Sequence, residues 1–152
     1  MVRYIQVNDL YRSDAVTIGI QATIKEALQR MDSEASNGLI VLDGDEVVGI
    51  ISLQDIAGAA VPVEMQNNAS LAGALFKEGY FEEAARKLLR HKVVDLMRTD
   101  FLSVTRQASI LEIGADFLQN DLYIVPVIEE GKLLGVVTRT EIRQALTKAL
   151  AA

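Results

Sequence analysis

The chain has 152 residues, half of them hydrophobic but only 5% aromatic and none Trp, so the core of one compact domain or two small halves must be aliphatic. A formal net charge of −6 disfavours nucleic acid as a partner, the lack of Cys excludes disulfides, thiolate catalysis and Cys-based zinc sites, and a single His gives no metal constellation. No apolar run reaches the roughly 20 residues of a membrane helix, and residues 1–6 lack the apolar centre of a signal peptide, so no membrane association and a cytoplasmic location are expected.

The elements recur at a fixed offset of 86 residues. Val7-Asn8-Asp9-Leu10-Tyr11-Arg12-Ser13-Asp14 aligns with Val93-Val94-Asp95-Leu96-Met97-Arg98-Thr99-Asp100. Residues 7–56 and 93–142 align without a gap, with 12 identities in 50 positions. Each copy opens with a short β run, Ala15-Val16-Thr17-Ile18 or Phe101-Leu102-Ser103-Val104. A helix follows, capped by Thr23 or Ser109 with Glu26 or Glu112 three residues on, the spacing of a capping box. In the first copy Ile24, Ala27, Leu28 and Met31 share one helical face. The next strand is Gly38-Leu39-Ile40-Val41-Leu42, or Tyr123-Ile124-Val125-Pro126-Val127-Ile128 in the second copy. A turn containing Gly44 or Gly131 leads to a third strand, Val47-Val48-Gly49-Ile50-Ile51 or Leu133-Leu134-Gly135-Val136-Val137. Ser52 or Thr138 then caps a closing helix. Near-continuous apolar runs imply strands buried on both faces, and one copy has too few strands to stand alone, which explains the pairing.

The 36 residues between the aligned copies, 57–92, form a helical insert rather than a bare linker. Pro62 is expected to end the preceding helix, and Asn67-Asn68 to turn and cap. Leu71, Ala74 and Leu75 make one short stripe, and Phe81, Ala84, Ala85, Leu88 and Leu89 a longer one. The stripes fit packing on their own pair of repeats better than covering a dimer surface or docking a partner. The basic run Arg86, Lys87, Arg90, His91, Lys92 fits a solvated helix face.

The Gly-apolar-apolar-Ser/Thr-x-x-Asp/Glu-Ile closure of each copy, after an Asp-Leu-x-Arg opening and a Val-Pro-Val strand in the second, resembles the CBS domain, named after cystathionine β-synthase. The resemblance implies a mixed α/β (α+β) fold. Two β-α-β-β-α repeats would pair with pseudo-twofold symmetry as a Bateman module, residues 1–60 and 93–152, around the helical insert 61–92. It also implies frequent homodimers and an adenosine-containing ligand (AMP, ADP, ATP or S-adenosylmethionine) between the copies. In such sites the closing Asp takes the ribose hydroxyls and the Ser/Thr three residues earlier contacts phosphate, roles that fall on Asp55 and Ser52. By the same resemblance Ile50, with Leu102, Ser103, Leu122 and Tyr123 from the opposite copy, would complete that cleft.

The chemistry suits those roles: an ionised carboxylate is a pure acceptor, and a helix N-terminus favours phosphate. The same Ser-x-x-Asp spacing also fits a plain capping box with no ligand. The second copy has Glu141 in place of Asp, moving the carboxylate by about 1.5 Å, so for Thr138 and Glu141 the cap is the favoured role. Arg139 is a candidate phosphate contact or an exposed charge, and Thr17 and Asn37 would face this second, doubtful cleft.

The leading function is a stand-alone, non-catalytic regulatory module with no resident cofactor. It would bind an adenosine-containing small molecule and act on an unidentified protein target in trans. The alternative is a ligand-free structural protein assembling through the repeats and insert. An enzyme is disfavoured, because the sequence offers no nucleophile–base pair or metal cluster.

Overall fold

In the computed structural model, which describes residues 4–61, 65–74, 79–120 and 124–151, the apolar runs become two antiparallel hairpins. Strand β1 (Thr17–Gly19) runs parallel to β2 (Gly38–Asp43), which pairs antiparallel with β3 (Glu46–Ser52). In the second repeat β4 (Ile124–Glu129) pairs antiparallel with β5 (Lys132–Thr138). Both hairpins carry a register shift at equivalent places, Val41/Leu42 and Val127/Ile128. Gly44 and Gly131 take positive φ at the two turns, a conformation that costs Gly little.

Helix α1 (Ile24–Glu34) buries Ile24, Ala27 and Met31, as its periodicity predicts, and Thr23 caps it by accepting Glu26 N–H at 3.1 Å. Helix α2 (Leu53–Ala60) closes the first repeat. Short helices α3 (Ala69–Ala74), α4 (Tyr80–Lys87) and α5 (Val93–Leu96) lead to α6 (Ile110–Asn120) and the closing helix α7 (Arg139–Leu150). At α6, Ser109 accepts from Leu111 N–H at 3.1 Å. Expectations for Pro62 and Leu75 lie outside the described residues, whereas Asn68 caps α3 through Leu71 N–H at 2.9 Å. The longer insert stripe divides: Leu88 joins the first repeat's core, Ala84 and Ala85 are half-buried, and Phe81 and Leu89 stay exposed.

One expected strand does not form. The run from Phe101 to Val104 keeps a single parallel bridge, Val104 to Val127, which repeats the Ile18–Val41 pairing of the first copy. The cause lies opposite it. In the first repeat Ile40 N–H donates to Val16 at 3.0 Å, but the position equivalent to Ile40 is Pro126, which has no N–H.

The two repeats exchange their opening segments. Val7 N–H donates to Ala108, and Arg12 pairs with Val136 by backbone bonds of 2.9 and 2.8 Å, so residues 6–12 lie on the second repeat. Equivalently, Val93 N–H donates to Ala22, and Arg98 pairs with Ile50 at 2.8 and 3.0 Å, so residues 92–98 lie on the first. Val7 and Val93 are both fully buried, each in the core of the repeat it is not continuous with. A third apolar layer of Ile40, Ile50, Ile124 and Val136 joins the two hairpins.

Candidate functional site

Each closing helix starts where a buried strand ends, so its first turn is fixed against the boundary between repeats. At α2, Ser52 Oγ accepts from Asp55 N–H at 3.2 Å, and Asp55 Oδ2 accepts from Ser52 N–H at 2.9 Å and from Ser52 Oγ at 2.8 Å. The capping box is therefore complete. The other carboxylate oxygen, Oδ1, accepts from Arg98 Nε at 2.8 Å. Asp55 is only 12% exposed and Arg98 35%, a partly buried pair in which the charge-assisted bond is strong. Arg98 is contributed by the exchanged segment.

At α7 the box recurs: Glu141 Oε1 accepts from Thr138 N–H at 2.8 Å and from its hydroxyl at 2.7 Å. Glu141 is 1% exposed, and its Oε2 is buried without a hydrogen-bond partner among the described residues. Arg12, the counterpart of Arg98, instead binds Asp14 through Nε at 3.1 Å and a terminal nitrogen at 3.0 Å. The Arg12 guanidinium holds the Asp14 carboxyl below its ordinary pKa, mainly by hydrogen bonding. The extra methylene in Glu141 thus accompanies a different partner choice in each repeat.

An open cleft of about 550 Å³ lies between the repeats, within the range of small-molecule sites. One wall is the loop entering β2, with Ser36, Asn37 and Gly38; α2 adds Leu53, Gln54 and Ala57. The opposite wall is Ile124 with Thr138, Arg139 and Thr140 at the start of α7. Ser36 fixes the loop by donating its hydroxyl to the Gly38 carbonyl at 2.7 Å, and Leu53 N–H ties α2 to the Asn37 carbonyl at 2.8 Å. Gly38 and Ile124 are equivalent positions that meet between the repeats, and a side chain at 38 would run into that of Ile124.

The structure brings Asn37, Thr138 and Arg139 together on this cleft, whereas Thr17 and Glu141 are not on its walls. Thr17 is in β1, where its carbonyl accepts from Arg30 Nε at 3.3 Å. Ser52 and Asp55 sit together at α2. Ile50 points into the layer between hairpins, and both its backbone groups are taken by Arg98, so it presents neither side chain nor backbone donor to a cleft. Leu102 packs on the second repeat's core and Ser103 is exposed. Leu122 and Tyr123 lie outside the described residues.

Sequence reasoning missed Ser36, Gln54 and Thr140 as lining residues and Arg98 as the partner of Asp55. The signal for Arg98 was present: it shares the opening motif with Arg12 at the 86-residue offset. Chemically, the cleft combines an apolar floor with the Asn37 and Gln54 carboxamides, three hydroxyls, Arg139 and the positive end of α7. That set suits an anionic ligand with a flat apolar part.

Two repeats, the second without its opening strand, pair across a cleft on their shared boundary as a tandem-repeat module. The CBS domain family model matches residues 7–62 and 93–148, most of the chain, and the chain belongs to the CBS-domain family. A CBS domain-containing protein of Dictyostelium discoideum is 26% identical over 147 residues, covering 95% of this chain and 92% of that protein. An uncharacterised protein of Methanocaldococcus jannaschii is 25% identical over 144 residues, covering 94% of this chain but 40% of the longer relative. The CBS-pair protein CBSX2 of Arabidopsis thaliana superposes with a TM-score of 0.77 at 20% identity, covering 99% of each chain. A structure of CBSX2 in complex with AMP superposes with a TM-score of 0.71, at 20% identity over 97% of this chain and 99% of that one. At such identities the likeness shows the fold alone. No described helix is long and apolar enough to cross a membrane.

Proposed function

We propose that this CBS pair is a regulatory module that binds an adenosine-containing ligand between its repeats and modulates a protein partner in trans. The observation that carries the proposal is the interfacial cleft of about 550 Å³, with Arg139 and the α7 N-terminus on one wall and apolar surface below. The AMP complex of CBSX2, a protein of the same fold, supports an adenine nucleotide over other anions. Asp55 and Ser52 of the first repeat remain the proposed ribose and phosphate contacts, respectively, of a second site. A homodimer belongs to the same proposal, supported by Leu111, Leu118, Leu146 and Leu150, which stand exposed on α6 and α7.

Thermal unfolding with AMP, ADP, ATP and S-adenosylmethionine tests it. A ligand at 100 times its Kd stabilises the folded state by about 2.7 kcal/mol. For a chain of this size that raises Tm by roughly 5–10 °C. No shift with any of the four overturns the proposal and leaves a ligand-free interaction protein.

A further inference from the structure

We infer that Arg98 is a specificity-determining residue of the Asp55 site, an internal competitor that a ribose must displace. The inference rests on the proposal that an adenosine ligand binds at Asp55. Its basis is an acceptor count. An ionised carboxylate offers about four lone-pair positions on two oxygens. Three donors already use them: Ser52 N–H, Ser52 hydroxyl and Arg98 Nε. A cis-diol brings two more donors, one more than the carboxylate can accept. One of the three present bonds has to break.

The two Ser52 bonds are poor candidates. Ser52 is buried, and they close the capping box that starts α2. Arg98 is the more exposed partner. Its main chain is held by Ile50 whatever its side chain does, so the guanidinium can turn without unseating the segment.

The other repeat displays the turned-out arrangement. Arg12 has the same backbone pairing, on Val136, yet its guanidinium binds Asp14 and not the capping carboxylate. The residue equivalent to Asp14 is Asp100, two positions after Arg98. Arg98 therefore has an acceptor of the same type at the same spacing along its own segment. Diol binding at Asp55 moves the Arg98 guanidinium to Asp100.

Titration calorimetry with AMP and with 2′-deoxy-AMP on wild type, Arg98→Gln and Asp100→Asn tests this, with cooperative unfolding confirming that each variant is folded. Removing the competitor in Arg98→Gln is expected to tighten AMP about five-fold, the scale of a partly exposed ion pair. 2′-Deoxy-AMP, with one donor fewer, is expected to change less than about two-fold on the same scale. Asp100→Asn, which removes the destination, is expected to weaken AMP. Weaker AMP binding in Arg98→Gln makes Arg98 a ligand contact and overturns the inference, as do equal changes for both nucleotides or no effect of Asp100→Asn. If neither wild type nor Arg98→Gln binds AMP at all, it is the nucleotide-binding proposal that fails.

Discussion

The carbonyl oxygen of Arg12 crosses directly over Gly135, so close that a Cβ on Gly135 would overlap it. In the other repeat a Cβ on Gly49 would stand 2.9 Å from the Arg98 carbonyl oxygen and 2.7 Å from Met97 Sδ. The glycine of each closing motif is thus a crossing point for the exchanged segment. Gly135→Ala pushes on backbone at an overpacked site and is expected to cost about 3 kcal/mol, lowering Tm by roughly 6–12 °C. Gly49→Ala meets partly the flexible end of Met97 and should cost less, about 1–2 kcal/mol. Calorimetric melting of the two variants ranks them, and an equal or smaller loss for Gly135→Ala would contradict the crossing geometry.

The exchange makes a second, less intuitive expectation. Val93 is continuous with the second repeat but fully buried among Ile24, Leu39, Ile51 and Ile56 of the first. Val93→Ala removes two methyl groups from a packed core and should cost about 2 kcal/mol. Native-state hydrogen exchange should show the loss of protection in α1, β2 and β3, with β4 and β5 less affected. Val7→Ala should give the converse pattern, because Val7 packs with Val125, Val127 and Val137. Protection lost only in the repeat continuous with the mutated residue would rule the exchange out.

Asp55 and Glu141 occupy equivalent capping positions but should respond oppositely to loss of charge. Asp55 has donors on both oxygens, so Asp55→Asn breaks at least one bond and leaves Arg98 without that partner, at a cost of about 1–2 kcal/mol. Glu141 carries a buried Oε2 with no hydrogen-bond partner among the described residues, a desolvation that no hydrogen bond offsets. Glu141→Gln keeps the Oε1 acceptor and removes the charge, so its effect should lie within about 0.5 kcal/mol of neutral or be stabilising. Urea midpoints of the two variants decide, and comparable losses would refute the contrast.

Local chemistry was legible in the sequence, and long-range geometry was not. The offset of 86 residues, the caps at Thr23, Ser52 and Thr138, and the buried strands all rest on spacing along one segment. The segment exchange does not, because Val7 and Val93 read as equally apolar whichever core receives them. The missing strand before α6 was visible in principle: Pro126 replaces the donor that Ile40 supplies, but only once the partner strand is known to be parallel and in that register. The motif singled out Asp55 and Ser52 as candidates, and their capping contacts follow from the same local spacing. The Arg98 bond that alters what Asp55 can accept depends on a contact 43 residues away.

The Arg106–Glu129 pair stands where that strand is lost. In the first repeat Ile20 N–H donates to the Leu42 carbonyl at 2.9 Å. The equivalent donor, Arg106 N–H, turns to Glu129 Oε1 at 3.3 Å, and Arg106 Nε binds Oε2 at 2.8 Å. A side-chain carboxylate has taken over from a ladder carbonyl, and the rung has become titratable. Hydrogen bonding from Arg106 is the main cause that holds the Glu129 carboxyl below its usual 4.5. The folded value is thus lower than the unfolded one, so the pair stabilises the fold fully above pH about 4.5 and loses that contribution as pH falls through the depressed folded value. Glu129→Gln should therefore be less stable than wild type at pH 7, with the gap closing below about pH 4. The gap should also narrow at high salt, because both side chains are partly exposed. Urea unfolding of both proteins from pH 3 to 7 measures it. A gap independent of pH would mean that the carboxylate acts only as a neutral acceptor and that the rung is held by shape rather than charge.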